Sequence, residues 1–219
     1  MTRYIALLRG INVGGINIRM AELAETVRSL GHTGVTTILA SGNVVLETSE
    51  TDAAAVKSGL ERALSERFGY EAWVVLVAWP RLTGTVADYP FEEREGWHSY
   101  VLFGSEQARL DDLLAAAPEL DPNDERVQRG TEVLYWQVRR AVGIKSPFSV
   151  LAAKARFKST TTTRNLRTLR KILAVPAGAV RAGAVPAGAV PVGAVLVEAG
   201  RDDAVPEPAV SKARPNPAG

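Results

Sequence analysis

Hydrophobic residues recur with two different spacings along the first 78 residues of the chain. Short apolar runs predict strands at 3–8, 35–40, 44–46 and 71–77. Between them, apolar positions three and four residues apart predict one helix from Met20 to Leu30 and another that Asp52 caps and Phe68 ends, each followed by a glycine. The resulting order, β-α-β-β-α-β, is that of the split βαβ or ferredoxin-like fold.

A second series of elements follows a short helix at 79–82 and a charged connector. The pattern predicts strands at 97–103, 124–128 and 132–138, and helices at 106–116, 147–157 and 163–173. This order, β-α-β-β-α-α, repeats the first series without its last strand. The two halves show no sequence identity, so the repetition is a prediction about architecture alone.

We therefore expect an α+β protein of two ferredoxin-like (split βαβ) subdomains with antiparallel sheets, at residues 1–79 and 80–173. The first and fourth strands are apolar on both faces, so the sheet face without helices should be buried against the second half. From Ala174 the chain becomes a repeat of Gly, Ala, Val and Pro. Proline and glycine every few residues oppose helix and sheet, which predicts a disordered, flexible tail at 174–219.

The glycine-rich loop at residues 9–17 is the best candidate for a binding site. Its glycines allow positive φ or close approach of a ligand, and the unpaired amides of the next helix attract phosphate or carboxylate. The spacing matches neither a Walker A loop nor the G-x-G-x-x-G fingerprint. A tight connection with asparagine Asx turns would produce the same pattern, so both interpretations stay open.

The predicted topology brings a second polar loop to the same edge of the sheet. A split βαβ unit has parallel first and second strands, so the loop at 9–17 and the turn at 41–43 should lie side by side. From the second half, the hydroxyls of Thr160–Thr163 are expected to cap the last helix and, with Arg164, to hold an anion. The ligand-binding candidates in the first half are Arg9, Gly10, Asn12, Gly14, Gly15, Asn17, Ser41, Gly42 and Asn43.

Composition limits the chemistry that this chain can perform. It has no cysteine, which excludes disulfides and thiolate catalysis, and its two histidines argue against a histidine metal site. Carboxylate-only metal binding stays open, and no cofactor or catalytic residue can be named. Ser41 lacks the G-x-S-x-G context of a nucleophile, and the third strand lacks the aromatic residues of an RNA-recognition motif. Without a signal peptide or membrane span, we expect a cytoplasmic protein with no membrane partner.

Positive charge is concentrated near the end of the predicted fold. No acidic residue occurs between Glu132 and Glu198. This stretch could bind an anionic partner such as nucleic acid, or it could be a solvated face that pairs with the acidic N-terminal part of the chain, residues 1–132. Its basic residues up to the last helix are Arg139, Arg140, Lys145, Lys154, Arg156, Lys158, Arg164, Arg167, Arg170 and Lys171.

Three motifs stand out: the run from Tyr4 to Gly15, the residues Ser41-Gly42-Asn43-Val44-Val45, and the later Thr162-Thr163-Arg164-Asn165. Together they resemble the motifs of a bacterial family catalogued as domain of unknown function 1697. The resemblance covers residues 1–173, adds Asn165 to the candidate ligand-binding residues, and implies two α+β subdomains related to the ferredoxin-like fold. The family has no established activity. Ile38, Leu166 and Arg167 depart from its usual residues, which bears on ligand binding if those positions touch the ligand.

Two functions follow from these observations. The first is binding of a small phosphate- or carboxylate-bearing ligand, where Arg9 neutralises the anion, the amides of Gly14 and Gly15 bind it, and Asn12 with the 41–43 turn orients it. Arg164 would close the site from the second half. The second is nucleic-acid binding by the basic last helices. The sequence determines neither a reaction nor an oligomeric state.

Overall fold

The first half of the chain folds as its hydrophobic pattern predicts. The computed structural model describes residues 1–12, 16–117 and 119–178. The first antiparallel sheet has the strand order β2-β3-β1-β4, which is the ferredoxin-like order. Its elements are β1 (Thr2–Arg9), α1 (Met20–Ser29), β2 (Thr33–Ile38), β3 (Asn43–Thr48), α2 (Ala53–Phe68) and β4 (Trp73–Ala78), followed by α3 (Trp79–Ala87).

The second half repeats the same topology. Its sheet is also antiparallel, in the order β6-β7-β5-β8. The fold class is therefore the expected one, α+β with two antiparallel sheets, and each sheet has four strands. The elements are β5 (Trp97–Gly104), α4 (Gln107–Ala115), β6 (Glu125–Gly130), β7 (Val133–Arg139), a 3-10 helix (Gly143–Lys145), α5 (Pro147–Ala152), α6 (Ala155–Lys158), β8 (Thr161–Asn165) and α7 (Leu166–Leu173).

The end of the second half corrects one prediction. The order β-α-β-β-α-α was wrong, because a strand, β8, lies where a helix was expected to begin at Thr163. Threonine is β-branched and favours a pleated strand, and Thr163 of β8 pairs with Leu102 of β5. The hydroxyls of Thr160–Thr163 therefore do not cap the last helix. Its N-cap is Asn165, whose side chain accepts a hydrogen bond from Arg167 N at 2.9 Å.

Local signals correctly place the ends of α2. The carboxylate of Asp52 accepts a hydrogen bond from Ala54 N at 2.8 Å, as an N-cap does. The helix ends at Gly69, whose φ of 67° lies in the left-handed region that favours glycine. Both residues are near in sequence to the groups they serve, which is why the pattern identifies them.

The two sheets bury their inner faces together, as the apolar strands predicted. Ile5 and Leu7 of β1 belong to the same buried cluster as Val101 and Phe103 of β5. Helices α3 and α7 contribute to this cluster and contact each other. Helices α1 and α2 cover the outer face of the first sheet. The boundary between subdomains at residue 79 stays a prediction, and residues 179–219 of the expected tail lie outside the described residues.

Candidate functional site

The end of β1, the turn before β3 and strand β8 meet at one place. Leu8 N donates to the carbonyl of Gly42 at 2.8 Å, and Asn12 Nδ2 donates to the carbonyl of Ala40 at 2.6 Å. These bonds bring the first loop and the 41–43 turn side by side, as the topology predicted. The edge they form is completed by β8 of the other sheet through Arg164.

Arg164 joins the two halves through a buried guanidinium group. Arg164 is 6% exposed, and its Nε donates to Asn43 Oδ1 at 2.6 Å. Nη2 donates to the carbonyl of Leu8 and, at 3.4 Å, to that of Gly42. Nη1 donates within β8, to Thr162 Oγ1 at 2.7 Å and to the carbonyl of Thr163 at 2.9 Å. Every acceptor is neutral, and three of them belong to the first half.

Asn43 is held in the orientation that this contact requires. The residue is fully buried, and its Nδ2 donates to the carbonyl of Ile38 at 2.8 Å and to Ser41 Oγ at 2.9 Å. Because both amide hydrogens are used, Oδ1 points to Arg164 as an acceptor. Ser41 therefore helps to position Asn43 by accepting one of these hydrogen bonds.

Arg9 places a second guanidinium group beside the first. Its Nη1 donates to the carbonyl of Thr161 and lies 3.3 Å from Thr161 Oγ1. Burial lowers the pKa of Arg9. Burial, and then the nearby charge of Arg9, lower the pKa of Arg164 to about 9, which leaves Arg164 protonated near pH 7. Two like charges thus lie close together in a partly desolvated place.

No carboxylate balances these charges within the part of the chain that the structure describes. The ion pairs there involve other arginines and one lysine, and neither Arg9 nor Arg164 belongs to them. A buried cation ordinarily has an anionic partner, because neutral acceptors only partly replace the water that it loses. Within the described residues, these two arginines therefore lack the anionic partner that a buried cation ordinarily has.

The other predicted residues have different roles. Gly10 and Gly42 have φ of 73° and 71°, and Asn12 also lies in the left-handed region at 57°. Asn12 Oδ1 accepts from Ile18 N at 2.8 Å, so Asn12 ties the loop to the start of α1. Asn17 is exposed. Asn165 is the N-cap of α7, while Gly14 and Gly15 lie outside the described residues.

Sequence reasoning missed the acceptors that hold the two arginines. Thr161 and Thr162 are each 2% exposed and supply oxygen atoms to Arg9 and Arg164 respectively. The carbonyls of Leu8 and Gly42 have no side-chain signature. The β-branched threonines before Arg164 were the available signal for a strand, and the threonine run was instead assigned to a helix cap.

The basic stretch is only partly available to a partner. Arg164 is buried, Arg170 forms an ion pair with Glu93, and Arg139 forms one with Asp124 at 3.3 Å. The last two pairs fit the alternative that basic residues face acidic ones. Arg167 and Lys171 are exposed on α7.

The described part of the chain has neither a metal-ion cluster nor a membrane-spanning helix. Within residues 1–12, 16–117 and 119–178, no group of three or more His, Asp or Glu side chains is arranged to hold a metal ion. Over the same residues, the helices are too short or too polar to cross a membrane.

Comparison with known proteins gives a family but no activity. A family model described as "Protein of unknown function (DUF1697)" matches residues 1–135. A search of curated proteins found no match. The chain is similar to a solved structure titled as that of the conserved bacterial protein SP0830 from Streptococcus pneumoniae, with a TM-score of 0.67 and 26% identity, over 78% of this chain and 96% of that one. An unknown protein from Galdieria sulphuraria aligns over 75% and 96% of the two chains, with a TM-score of 0.24 and 9% identity.

Proposed function

This chain belongs to the DUF1697 family, whose description names no activity, and we propose that it binds a small anionic ligand, carrying phosphate or carboxylate, beside Arg9 and Arg164. The observation that carries the proposal is the pair of neighbouring guanidinium groups, whose hydrogen-bond acceptors among the described residues are all neutral. An anion at this edge would offset their mutual repulsion and the cost of their burial.

Arg9 is the residue that contacts the ligand. The hydrogen bonds that its guanidinium makes within the described chain use only Nη1, which leaves Nε and Nη2 as donors for an oxygen of the ligand. Arg164 has donated from all three of its nitrogens, so its role is to contribute positive charge and to hold β8 against Leu8 and Asn43. A guanidinium group binds planar carboxylate or phosphate oxygens with two parallel bonds, which suits this arrangement.

The surrounding loop supports the same ligand. Asn12 fixes the path of the chain on one side of the glycine-rich loop through its bonds to Ala40 and Ile18. This loop connects Arg9 to α1, and we propose that backbone amides of Gly14 and Gly15 complete the contacts.

Thermal stability in the presence of anions tests the proposal. A ligand that binds only the folded protein raises its melting temperature, so inorganic phosphate, pyrophosphate and citrate should be titrated against a chloride control of equal ionic strength. At least one of them is expected to raise the melting temperature in a saturable manner. Arg9→Gln should weaken that binding about tenfold or more, the range for a hydrogen bond to a charged group.

A matched control variant distinguishes binding at Arg9 from attraction of the anion by the net charge of the protein. Arg28 lies in the same half and also donates to a backbone carbonyl, that of Val35 at 3.2 Å. Arg28→Gln removes the same charge and should leave the affinity unchanged. If the two variants weaken binding equally, the anion is attracted by net charge and the site is not at Arg9. If no anion produces a saturable shift, the proposed function is wrong.

A further inference from the structure

The strand registers align the two halves residue by residue. In the first sheet Ala6 pairs with Val44 and Leu76, and in the second Leu102 pairs with Leu134 and Thr163. Counting from these pairs makes the following positions equivalent: Leu8 and Gly104, Arg9 and Ser105, Gly42 and Glu132, Asn43 and Val133, and Val77 and Arg164. Gly42 and Glu132 both have positive φ, 71° and 57°, which supports the alignment.

This alignment identifies a counterpart of the Arg164 site in the other half. There, Gly104, Glu132 and Val133 at the end of the second sheet face β4 of the first, and Val77 stands where Arg164 would be. Valine is too short to fill the space that a guanidinium group fills. The structure has a cleft of about 370 Å³ at this place, lined by these residues with Val75, Leu76 and Arg81.

One side of the cleft is the free edge of β4. Among the described strands, β4 has a neighbour on one side only, β1. Helix α2 covers the beginning of the free edge, where Ala72 N donates to Ser65 Oγ at 3.0 Å and Val74 N donates to Glu61 Oε1 at 2.8 Å. Since alternate residues of a strand direct their N–H and C=O groups to the same side, Leu76 presents both of its groups to the cleft.

The equivalent edge of β8 is closed. The carbonyl of Thr161 accepts from Arg9, and the carbonyl of Thr163 accepts from Arg164. At β4 the equivalent arginines are absent, because Ser105 and Val77 occupy those positions. Within the described residues, the backbone N–H and C=O of Leu76 have no hydrogen-bond partner. An exposed edge of this kind is a template for another strand.

Arg81 gives the cleft a preference for a negatively charged group. Its Nη2 lies 2.7 Å from Glu132 Oε2, in a pair whose side chains are 32% and 64% exposed. The Nε of Arg81 is buried and has no partner among the described residues. The partly exposed guanidinium group attracts a carboxylate in the cleft, whereas a second cation there would compete with Arg81 for Glu132.

We propose that the cleft binds an extended segment of a partner polypeptide that adds a strand beside β4 and places an acidic side chain at Arg81. Leu76 would exchange two backbone hydrogen bonds with the incoming strand, and the apolar walls at Val75, Val77 and Val133 would receive its alternate side chains. The open part of the edge, residues 75–78, spans about 13 Å, enough for four or five residues of the partner.

Backbone amide signals of the full-length, isotope-labelled protein test the proposal. The probe is a blocked pentapeptide of alternating valine and threonine with a glutamate at its centre. It should shift the amide signals of Leu76, Gly104 and Val133 and slow hydrogen exchange at Leu76. A peptide with proline at its centre should not bind, because it lacks one N–H and cannot complete the ladder. A lysine-centred peptide should bind about threefold more weakly, as expected for a partly exposed ion pair.

Two variants make the test specific. Arg81→Gln should abolish the preference for glutamate over lysine, whereas Arg109→Gln, which removes an exposed ion-paired arginine on α4, should preserve it. Val77→Arg gives β4 the residue that β8 has at the equivalent position, and it should fill the cleft and abolish binding. If Val77→Arg lowers the melting temperature, the test of the proposal is the comparison of Arg81→Gln with Arg109→Gln. The proposal is wrong if neither the glutamate-centred nor the lysine-centred peptide binds, or if the amide signals that shift belong to residues away from the cleft. It is also wrong if the amide of Leu76 is already protected from hydrogen exchange in the free protein because the chain itself covers the edge.

Discussion

Arg164 should contribute more to stability than any exposed arginine of this chain. The change to test is Arg164→Ala, which removes five hydrogen bonds. Two acceptors matter most, because Asn43 Oδ1 and the carbonyl of Leu8 are left buried without this donor. By contrast, the carbonyl of Gly42 keeps its bond from Leu8 N at 2.8 Å.

The magnitude follows from those two acceptors. Leaving a buried acceptor unpaired costs about 1–3 kcal/mol, so two of them cost about 2–6 kcal/mol. The variant also no longer buries a guanidinium group, which returns part of that cost. We expect a net loss of about 3 kcal/mol in the free energy of unfolding. For a chain of this size, such a loss lowers the melting temperature by about 6–12 °C.

Urea and thermal unfolding followed by circular dichroism measure the effect. Arg167→Ala is the matched control, because Arg167 is exposed three residues further on and its removal changes the net charge equally. It should alter the free energy of unfolding by less than about 0.5 kcal/mol. In a double-mutant cycle, Arg164→Ala and Asn43→Ala should be non-additive, since the two side chains share a bond of 2.6 Å. Equal effects of Arg164→Ala and the control, or full additivity, would show that this network does not hold the two sheets together.

Further predictions concern single positions. Affinity for an anion should fall as the pH rises above about 9, because burial and Arg9 lower the pKa of Arg164 to about 9 and the neutral group no longer attracts an anion; a titration of affinity against pH checks this. Tyr70→Phe should leave stability unchanged or raise it slightly in urea unfolding, because the buried hydroxyl has no partner among the described residues. Gly42→Ala should lower stability by about 2 kcal/mol or more, since φ is 71° and the new Cβ would lie 2.7 Å from Ile11 Cδ1. Asp52→Ala should cost about 1 kcal/mol through loss of the α2 cap, measured in the same assay.

Local patterns predicted most of the first half because the interactions there are local. Helix α2 is capped by Asp52 and Gly69, and each cap interacts with a backbone group a few positions away. The burial of the second face of β1 also follows from its sequence, since Ile5 and Leu7 alternate with residues that face α1 and α2. Periodicity therefore predicted both the order of elements and the need for a second layer.

Strand β8 and the acceptors of Arg164 lie beyond such reasoning. The threonine run has no hydrophobic period, so its partner in β5 could not be inferred from the pattern. Arg164 reaches Asn43 and Leu8, which lie 121 and 156 residues away in the chain. The family resemblance identified the motif that contains Asn43 and the motif that contains Arg164. It did not indicate that Arg164 donates hydrogen bonds to Asn43 and to the carbonyl of Leu8.

The repeated topology explains why one arginine site and one open cleft occur in the same molecule. The end of β1 lies beside β8, and the end of β5 lies beside β4. The fold therefore contains two equivalent sites, one at each of these contacts. Where the equivalent residues are Arg9 and Arg164, the strand edge is closed and positive charge accumulates. Where they are Ser105 and Val77, the edge stays open and the walls are apolar. The differences at these two pairs of positions therefore distinguish the site where we propose anion binding from the cleft where we propose peptide binding, and Val77→Arg tests whether an arginine at the second position alone closes the cleft.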